Sequence, residues 1–222
     1  MGVGVRVRVI ICDDHKVFAH ALAGVLESLG HEIVMIATRP DSVIATALRE
    51  SVDLVVMDLG FPNGDGLNGT QKLTRFPSHP PVFVLTARTD PEVVSAGIQA
   101  GAAGILTKQA ELSQVISALE RVAAGETYFD AQLLRRGLAP EPNQVTEAHR
   151  MAAYLTSRER EVLEHIVRGQ STSRMAADMD ISVTTLRSHI HGVLSKLNVH
   201  SRLEAAAWAV SHGIIEPPTV DE

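Results

Sequence analysis

Five short apolar runs alternate with segments of helical spacing across the first 124 residues, and that alternation limits the fold more than any other feature. The runs are Val5-Arg6-Val7-Arg8-Val9-Ile10-Ile11-Cys12, residues 32–37, 54–58, 81–86 and 104–107. Each is four to eight residues long and bounded by Gly, Pro or Asp, as buried strands are. Between them, apolar residues recur at helical spacing: Val17, Leu22, Val25, Leu26 and Leu29 before Gly30, then Val43, Ile44, Ala47 and Leu48 after Pro40. Further helices follow Gly66, Asp90 and Ala110, the last ending near Gly125. Strict strand–helix alternation requires crossover connections, so the expected fold is an α/β doubly wound parallel (βα)5 domain. In Val55-Val56-Met57-Asp58-Leu59-Gly60-Phe61-Pro62-Asn63-Gly64-Asp65-Gly66 an apolar run stops at one carboxylate and breaks into turn residues. Asp58 is therefore expected at the carboxyl end of a central strand, the edge where open α/β sheets bind ligands.

Periodicity changes character past residue 125. The segment Ala139-Pro140-Glu141-Pro142-Asn143-Gln144 reads as linker, with a short helix expected around residues 130–136. Beyond Tyr154 the spacing is helical only, over residues 157–168, 172–178, 184–197 and 202–212. The expected organisation is residues 1–125 as the α/β domain, 126–153 as linker and 154–222 as a small all-α domain. The formal net charge of −6 gives no global sign of nucleic-acid binding, so charge is read by segment. The single cysteine, Cys12, lies in an apolar run, which excludes a disulfide framework and suits a core role in a reducing compartment. No apolar stretch reaches the roughly 18–20 residues of a membrane span. The chain opens directly on a strand pattern rather than a signal peptide, so a soluble, cytoplasmic protein without a membrane partner is expected.

Asp13-Asp14 end the first strand and Asp58 ends the third, so a parallel sheet sets them side by side. Crowded carboxylates repel unless a cation holds them, and an oxygen-rich set suits Mg²⁺. Thr86 ends the fourth strand and Lys108 follows the fifth. Three acids, a hydroxyl and an ammonium at one edge permit phosphoryl transfer onto a carboxylate nucleophile, with metal and ammonium offsetting the transferred charge. These residues resemble the receiver domain of two-component response regulators over about residues 5–124. The resemblance implies that Asp58 accepts phosphate from a sensor histidine kinase. It implies Mg²⁺ held by Asp14 directly, by Asp13 through water, by Asp58 and by the Gly60 carbonyl. Lys108 is implied to bridge to the phosphoryl oxygens and Thr86 to swing toward them. The chain departs from the pattern at Ile105, where many receivers carry an aromatic residue, and at Phe61, where a Met is usual. The relay then falls on Thr86 and the 90–104 surface.

In the second domain, Thr156-Ser157-Arg158-Glu159 is a helix-start signal. A short helix over 172–178 and a turn at Asp180-Ile181-Ser182 precede a longer helix with Ser182 as its N-cap. Leu186, Ile190, Val193, Leu194 and Leu197 take one face of that helix; Thr184, Thr185, Arg187, Ser188, His191 and Lys196 take the other. Short helix, tight turn and longer helix make a helix-turn-helix. Between Ile181 and Arg202 lie Arg187, Lys196 and Arg202 and no acids. The Leu155-Thr156, Arg158-Glu159, Glu161-Val162-Leu163, Thr185-Leu186, His189-Ile190 and Lys196-Leu197-Asn198-Val199 pattern resembles LuxR-type DNA-binding domains over residues 154–215. The resemblance implies double-stranded DNA as ligand, with Arg187, Ser188 and His191 at base edges and Ser182, Thr184, Thr185 and Lys196 at phosphates. Where the family carries a Lys and a capping Glu, this chain has Ser173 and Arg174, so the capping box at Ser171 is lost and Arg174 is offered to a phosphate instead.

The ten histidines are scattered without zinc-ligand spacing, and His189 and His191 point about 200° apart on one helix, so no histidine metal site is expected. The family counterpart of the last helix also forms a dimer interface, which Ala206 and Val210 are placed to share. Together the two halves resemble the NarL/FixJ type of response regulator: not an enzyme, phosphorylated on Asp58, a homodimer when phosphorylated, binding paired half-sites, with its unphosphorylated receiver masking part of helix 184–197. RNA polymerase stands open as a further partner. An atypical regulator indifferent to phosphorylation is the alternative. A carboxylate phosphohydrolase is disfavoured because Gly60 stands where such enzymes carry a second Asp.

Overall fold

The computed structural model describes residues 6–61, 65–130 and 142–217. In chain order the first domain runs β1 (Arg8–Cys12), α1 (Lys16–Ser28), β2 (Glu32–Ala37), α2 (Pro40–Ala47), β3 (Leu54–Met57), α3 (Asp65–Thr74), β4 (Val82–Thr86), α4 (Pro91–Gln99), β5 (Gly104–Thr107) and α5 (Leu112–Ala123). Alternation along each strand divides the core between two faces. Ile10, Val55, Met57, Val84 and Ile105 meet Val43 and Ala47 of α2 and Val94 and Ile98 of α4. Val9, Ile11, Val56, Phe83, Leu85 and Leu106 meet Ala19, Leu22 and Leu26 of α1 and Leu119 and Val122 of α5. Helices on both faces follow from strands apolar on both sides.

With a sixth strand, β6 (Tyr128–Phe129), at one edge, the strand order is β2-β1-β3-β4-β5-β6, every pair parallel. The chain leaves β1 toward one edge and returns to its other side as β3, so the switch point lies between the carboxyl ends of β1 and β3. Their register pairs Cys12 with Met57, which sets Asp13 beside Asp58. Backbone bonds extend the ladder into both acids: Asp13 N donates to Ala37 O and Asp58 N to Cys12 O, at 3.0 and 2.9 Å.

Two elements lie inside the segment expected as linker. β6 (Tyr128–Phe129) adds a sixth strand beside β5, too short to show a period in sequence. α6 (Pro142–Ala153) buries Ala148 and Ala152 and packs Met151 on the helical domain. Pro142 reads as linker punctuation, yet Pro is well suited to the first turn of a helix. The short helix expected at 130–136 falls almost wholly outside the described residues.

The helical domain comprises α7 (Ser157–Val167), α8 (Thr172–Asp178), α9 (Val183–Lys196) and α10 (Arg202–Ser211) around Leu163, Ile166, Met175, Leu186, Val193 and Ala206. Asp180 in the turn before α9 and Asn198 after it take left-handed φ of 52°, a conformation that short polar side chains tolerate. The domains meet along α10. Its Leu203 and Ala207 join the apolar cluster of the first domain, against α4. Arg202 Nη2 donates to Gly125 O at 2.8 Å, and burial pulls its pKa down although arginine stays a cation. Thr127 N donates to Gly169 O at 3.0 Å. Gly169 has φ +76°, and a Cβ there would stand 2.4 Å from Thr127 O.

Another glycine fixes the functional edge. A Cβ on Gly66 would lie 2.0 Å from the Asp58 carbonyl oxygen and 2.9 Å from the Phe61 ring. Because both are backbone or packed core, Gly66→Ala must displace α3 from the end of β3. Overpacking of this kind costs about 1–3 kcal/mol. Urea unfolding followed by circular dichroism is expected to register that loss, whereas Gly24→Ala in α1, where a Cβ meets open space, is expected to cost no stability.

Candidate functional site

The carboxyl edge of the sheet gathers the predicted acids. Asp13 and Asp58 are almost fully buried, while Asp14 is half-buried. Lys108, carried past the end of β5 by a bond from its N to Thr86 O, reaches back between them. Its Nζ lies 2.6 Å from Asp13 Oδ2 and 2.7 Å from Asp58 Oδ2. The Phe18 ring stands 4.8 Å from the ammonium and flanks it. The outer oxygens are held by backbone: Asp58 Oδ1 accepts from Gly60 N, and Asp13 Oδ1 from His15 N, both at 2.9 Å. Gly60 is needed close to the acid, since a Cβ would stand 3.1 Å from Asp58 Oδ2.

Thr86 is fully buried at the end of β4, and its hydroxyl accepts from Arg88 N at 3.1 Å. Ile105 is buried in the cluster beneath α4 and stands near Gly97, with no exposure to vary. Cys12 lies beneath the acids. Burial, with the nearby charges of Asp13, Asp58 and Asp14, pushes its thiol up to about 12, so it remains a neutral core residue.

The donor set fits a divalent cation. Asp14 Oδ1 is buried without a hydrogen-bond partner among the described residues. Ligand atoms of Asp13, Asp14, His15 and Asp58 all lie within 4.8 Å of one another. An oxygen-rich set of this size suits a hard cation. His15, which the sequence reading did not single out, stands beside these acids. It sat among scattered histidines that lack ligand spacing, and its signal was adjacency to the paired acids.

On the helical domain, Ser182 caps α9 by accepting from Thr185 N at 3.0 Å. Thr184, Thr185, Arg187, Ser188 and His191 are exposed along one side of α9, and Leu186 and Val193 face the core. The domain contact therefore differs from the masking expected of helix 184–197: the α/β domain covers α10 and leaves the outer face of α9 open. Ala206 and Val210, expected at a shared interface, are buried in their own domain's core. Ser171 keeps half a capping box, accepting from Arg174 N, while the Arg174 side chain pairs with Asp178 at 3.0 Å.

Lys196 is engaged within the domain. Its Nζ lies 2.6 Å from Glu159 Oε2 and donates to Tyr154 O at 3.2 Å. Glu159 also closes the capping box of α7 with Thr156, and Gly192 leaves the room it occupies. Burial pushes the Glu159 carboxyl up, but hydrogen bonds from Lys196 and Thr156, with the Lys196 charge, outweigh that and hold it below the usual range. A depressed folded pKa gives stability that is present above the unfolded value and lost as pH falls through the folded one. The helical domain should thus lose stability below pH ~4, starting near the ordinary Glu value of about 4.3. Glu159→Gln should flatten that acid limb in thermal melts, and Lys196→Ala should lower stability by about 1–2 kcal/mol at pH 7.

Comparison with known proteins matches both halves. The response regulator receiver domain model covers residues 9–120, and the model of bacterial regulatory proteins of the luxR family covers 153–209. The glycerol metabolism activator of Pseudomonas putida is 30% identical over 204 residues, spanning 89% of this chain and 92% of that protein. Response regulator UvrY of Escherichia coli K12 is 27% identical over 215 residues, with 96% and 98% of the two chains covered. The crystal structure of response regulator ChrA of a heme-sensing two-component system aligns with a TM-score of 0.51 at 28% identity, over 95% of this chain and 99% of that one. No helix among the described residues is long and apolar enough to cross a membrane. This chain belongs to the NarL/FixJ family of two-component response regulators, phosphorylation-controlled transcriptional regulators that join a receiver to a LuxR-type DNA-binding domain.

Proposed function

We propose that Asp58 is the phosphoacceptor and that a sensor histidine kinase is the donor. The observation carrying this reading is the Lys108 ammonium seated on Asp58 Oδ2, at the sheet's switch point, beside two further acids. A carboxylate oxygen of Asp58 attacks the phosphorus of a phosphohistidine; the new P–O bond forms as the P–N bond breaks, and the imidazole leaves. Mg²⁺ at this site, when bound, offsets charge on the transferring oxygens. Asp13, Asp14, Asp58 and the Gly60 carbonyl are the residues to hold it. Lys108 follows the charge from Asp58 to the phosphoryl oxygens, and the Thr86 hydroxyl exchanges its Arg88 bond for one of them.

The signal then has a short path. Thr86 and Arg88 lead into α4, and α4 carries Leu203 and Ala207 of α10. A shift of α4 loosens α10, which frees the DNA-binding domain to pair with a second copy on two half-sites. Arg187, Ser188 and His191 read base edges in the major groove, Arg187 being suited to guanine. Ser182, Thr184 and Thr185 set register on phosphates. Lys196 reaches a phosphate only by sharing its charge with Glu159. RNA polymerase is the further partner through which bound dimers act on transcription.

Incubation with Mg²⁺ and acetyl phosphate is expected to add one acid-labile phosphate to the wild type and none to Asp58→Asn, and to tighten promoter binding in the wild type alone. If Asp58 takes up no phosphate, or takes it up without tighter binding, phosphoryl control through this residue is wrong. In binding assays across single-base variants of the site, Arg187→Ala should lose about 1–3 kcal/mol of discrimination at one position.

A further inference from the structure

His15 turns its imidazole onto the acids rather than into solvent-side bonding with its own helix. Its Nδ1 lies 3.0 Å from Asp14 Oδ1, 3.4 Å from Asp13 Oδ1 and 4.0 Å from Asp58 Oδ2. The ring and Asp14 Oδ1 are close without forming a hydrogen bond, and that oxygen is buried and unsatisfied among the described residues. Buried polar atoms normally find a partner, so this one calls for a third party. Lys108 is already spent on Asp13 Oδ2 and Asp58 Oδ2 and touches neither Asp14 nor His15 among the contacts above. The His15 side chain is 66% exposed and makes no cap bond to α1, although the residue is its N-cap. Its orientation therefore answers to the acids, Asp14 above all, rather than to packing or capping.

We infer that His15 is a nitrogen ligand of the cation site, which makes this centre a mixed nitrogen–oxygen site favouring Mn²⁺ over Mg²⁺. The inference deepens the proposed Mg²⁺-assisted phosphoacceptor site and rests on that reading. Mg²⁺ takes oxygen donors almost exclusively, whereas first-row divalent cations accept imidazole and bind a given nitrogen–oxygen site in rising order from Mn²⁺. Ligand atoms around an ion at about 2.0–2.2 Å stand at most about 4.4 Å apart. The four atoms here lie within 4.8 Å of one another, so a small inward turn of the exposed ring closes the set.

Isothermal titration of the full chain with MgCl2 and with MnCl2, and pulsed electron paramagnetic resonance of the Mn²⁺-loaded protein, test this without phosphorylation. Wild type should bind Mn²⁺ about tenfold more tightly than Mg²⁺ and show nitrogen modulation from one imidazole. His15→Ala and His15→Gln should lose the modulation and most of the Mn²⁺ preference while keeping Mg²⁺ affinity within about twofold. Because the ring is exposed and caps nothing, both variants should fold, which circular dichroism checks. Persisting modulation, or an unchanged Mn²⁺ preference in both variants, overturns the His15 ligand and leaves the acidic site standing. Failure of wild type to bind either cation overturns the acidic site and the His15 ligand together. Asp58→Asn should weaken both cations, which places the binding at this edge.

Discussion

The Lys108 ammonium between Asp13 and Asp58 is the interaction on which the functional edge depends. Two nearly buried carboxylates on adjacent strands repel, and leaving either charge uncompensated costs about 3–5 kcal/mol. The register of β1 and β3 forces them together, and the β4–β5 register brings Lys108 to them. Lys108 thus answers to whatever charge the edge carries. Cation binding and phosphoryl transfer both alter that charge, so both bear on the same ammonium. Its backbone N is bonded to Thr86 O, which ties the ammonium's segment to the end of β4 where Thr86 and Arg88 lie.

Most of this was legible in sequence because buried parallel strands are short, apolar and sharply ended. β2 and β5 fall where the runs predicted, and Asp58 stands one residue past β3 as its carboxylate stop implied. What escaped had no period to read. Tyr128 and Phe129 form a strand only because β5 offers an open edge. Helix α6 hid behind Pro142, since Pro serves equally in a loop and in a first turn. At the site, the acids and Lys108 were visible as strand-end residues, whereas His15 was one of ten histidines until the fold set its exposed ring beside the acids. Spacing put Lys196 on the polar face of its helix, and the resemblance implied a phosphate for it. Its partner Glu159 lies far off in sequence and reaches it only because Gly192 leaves room.

The domain arrangement bears on the two jobs that the family resemblance assigned to separate helices. The resemblance implied DNA reading on α9 and pairing on α10. Here the outer face of α9 is open while α10 rests on α4. α10 has apolar residues on nearly every side: Ala205, Ala206, Ala209 and Val210 serve their own core, and Leu203 and Ala207 serve the receiver. A helix so fully occupied has little surface left for a second copy. A second copy pairing through α10 would therefore compete with α4 for the same area rather than for charge.

The strength of that docking decides whether phosphorylation is able to reverse it. Burying one leucine is worth about 1.5–3 kcal/mol. The Arg202–Gly125 and Thr127–Gly169 hydrogen bonds add about 0.5–1.5 kcal/mol each. Together the contact is worth about 3–6 kcal/mol before the entropy of holding the domains together is subtracted. Moving a two-state equilibrium from 1:99 to 99:1 takes about 5.5 kcal/mol. The gross contact energy is thus of the same order as the free energy that such a shift requires. Were the interface several times larger, a shift of α4 would leave it closed; were it only Ala207, the domains would part unprompted. The side of α10 that meets α4 is one leucine and one alanine flanked by Arg202, a contact small enough for a shift of the supporting helix to matter.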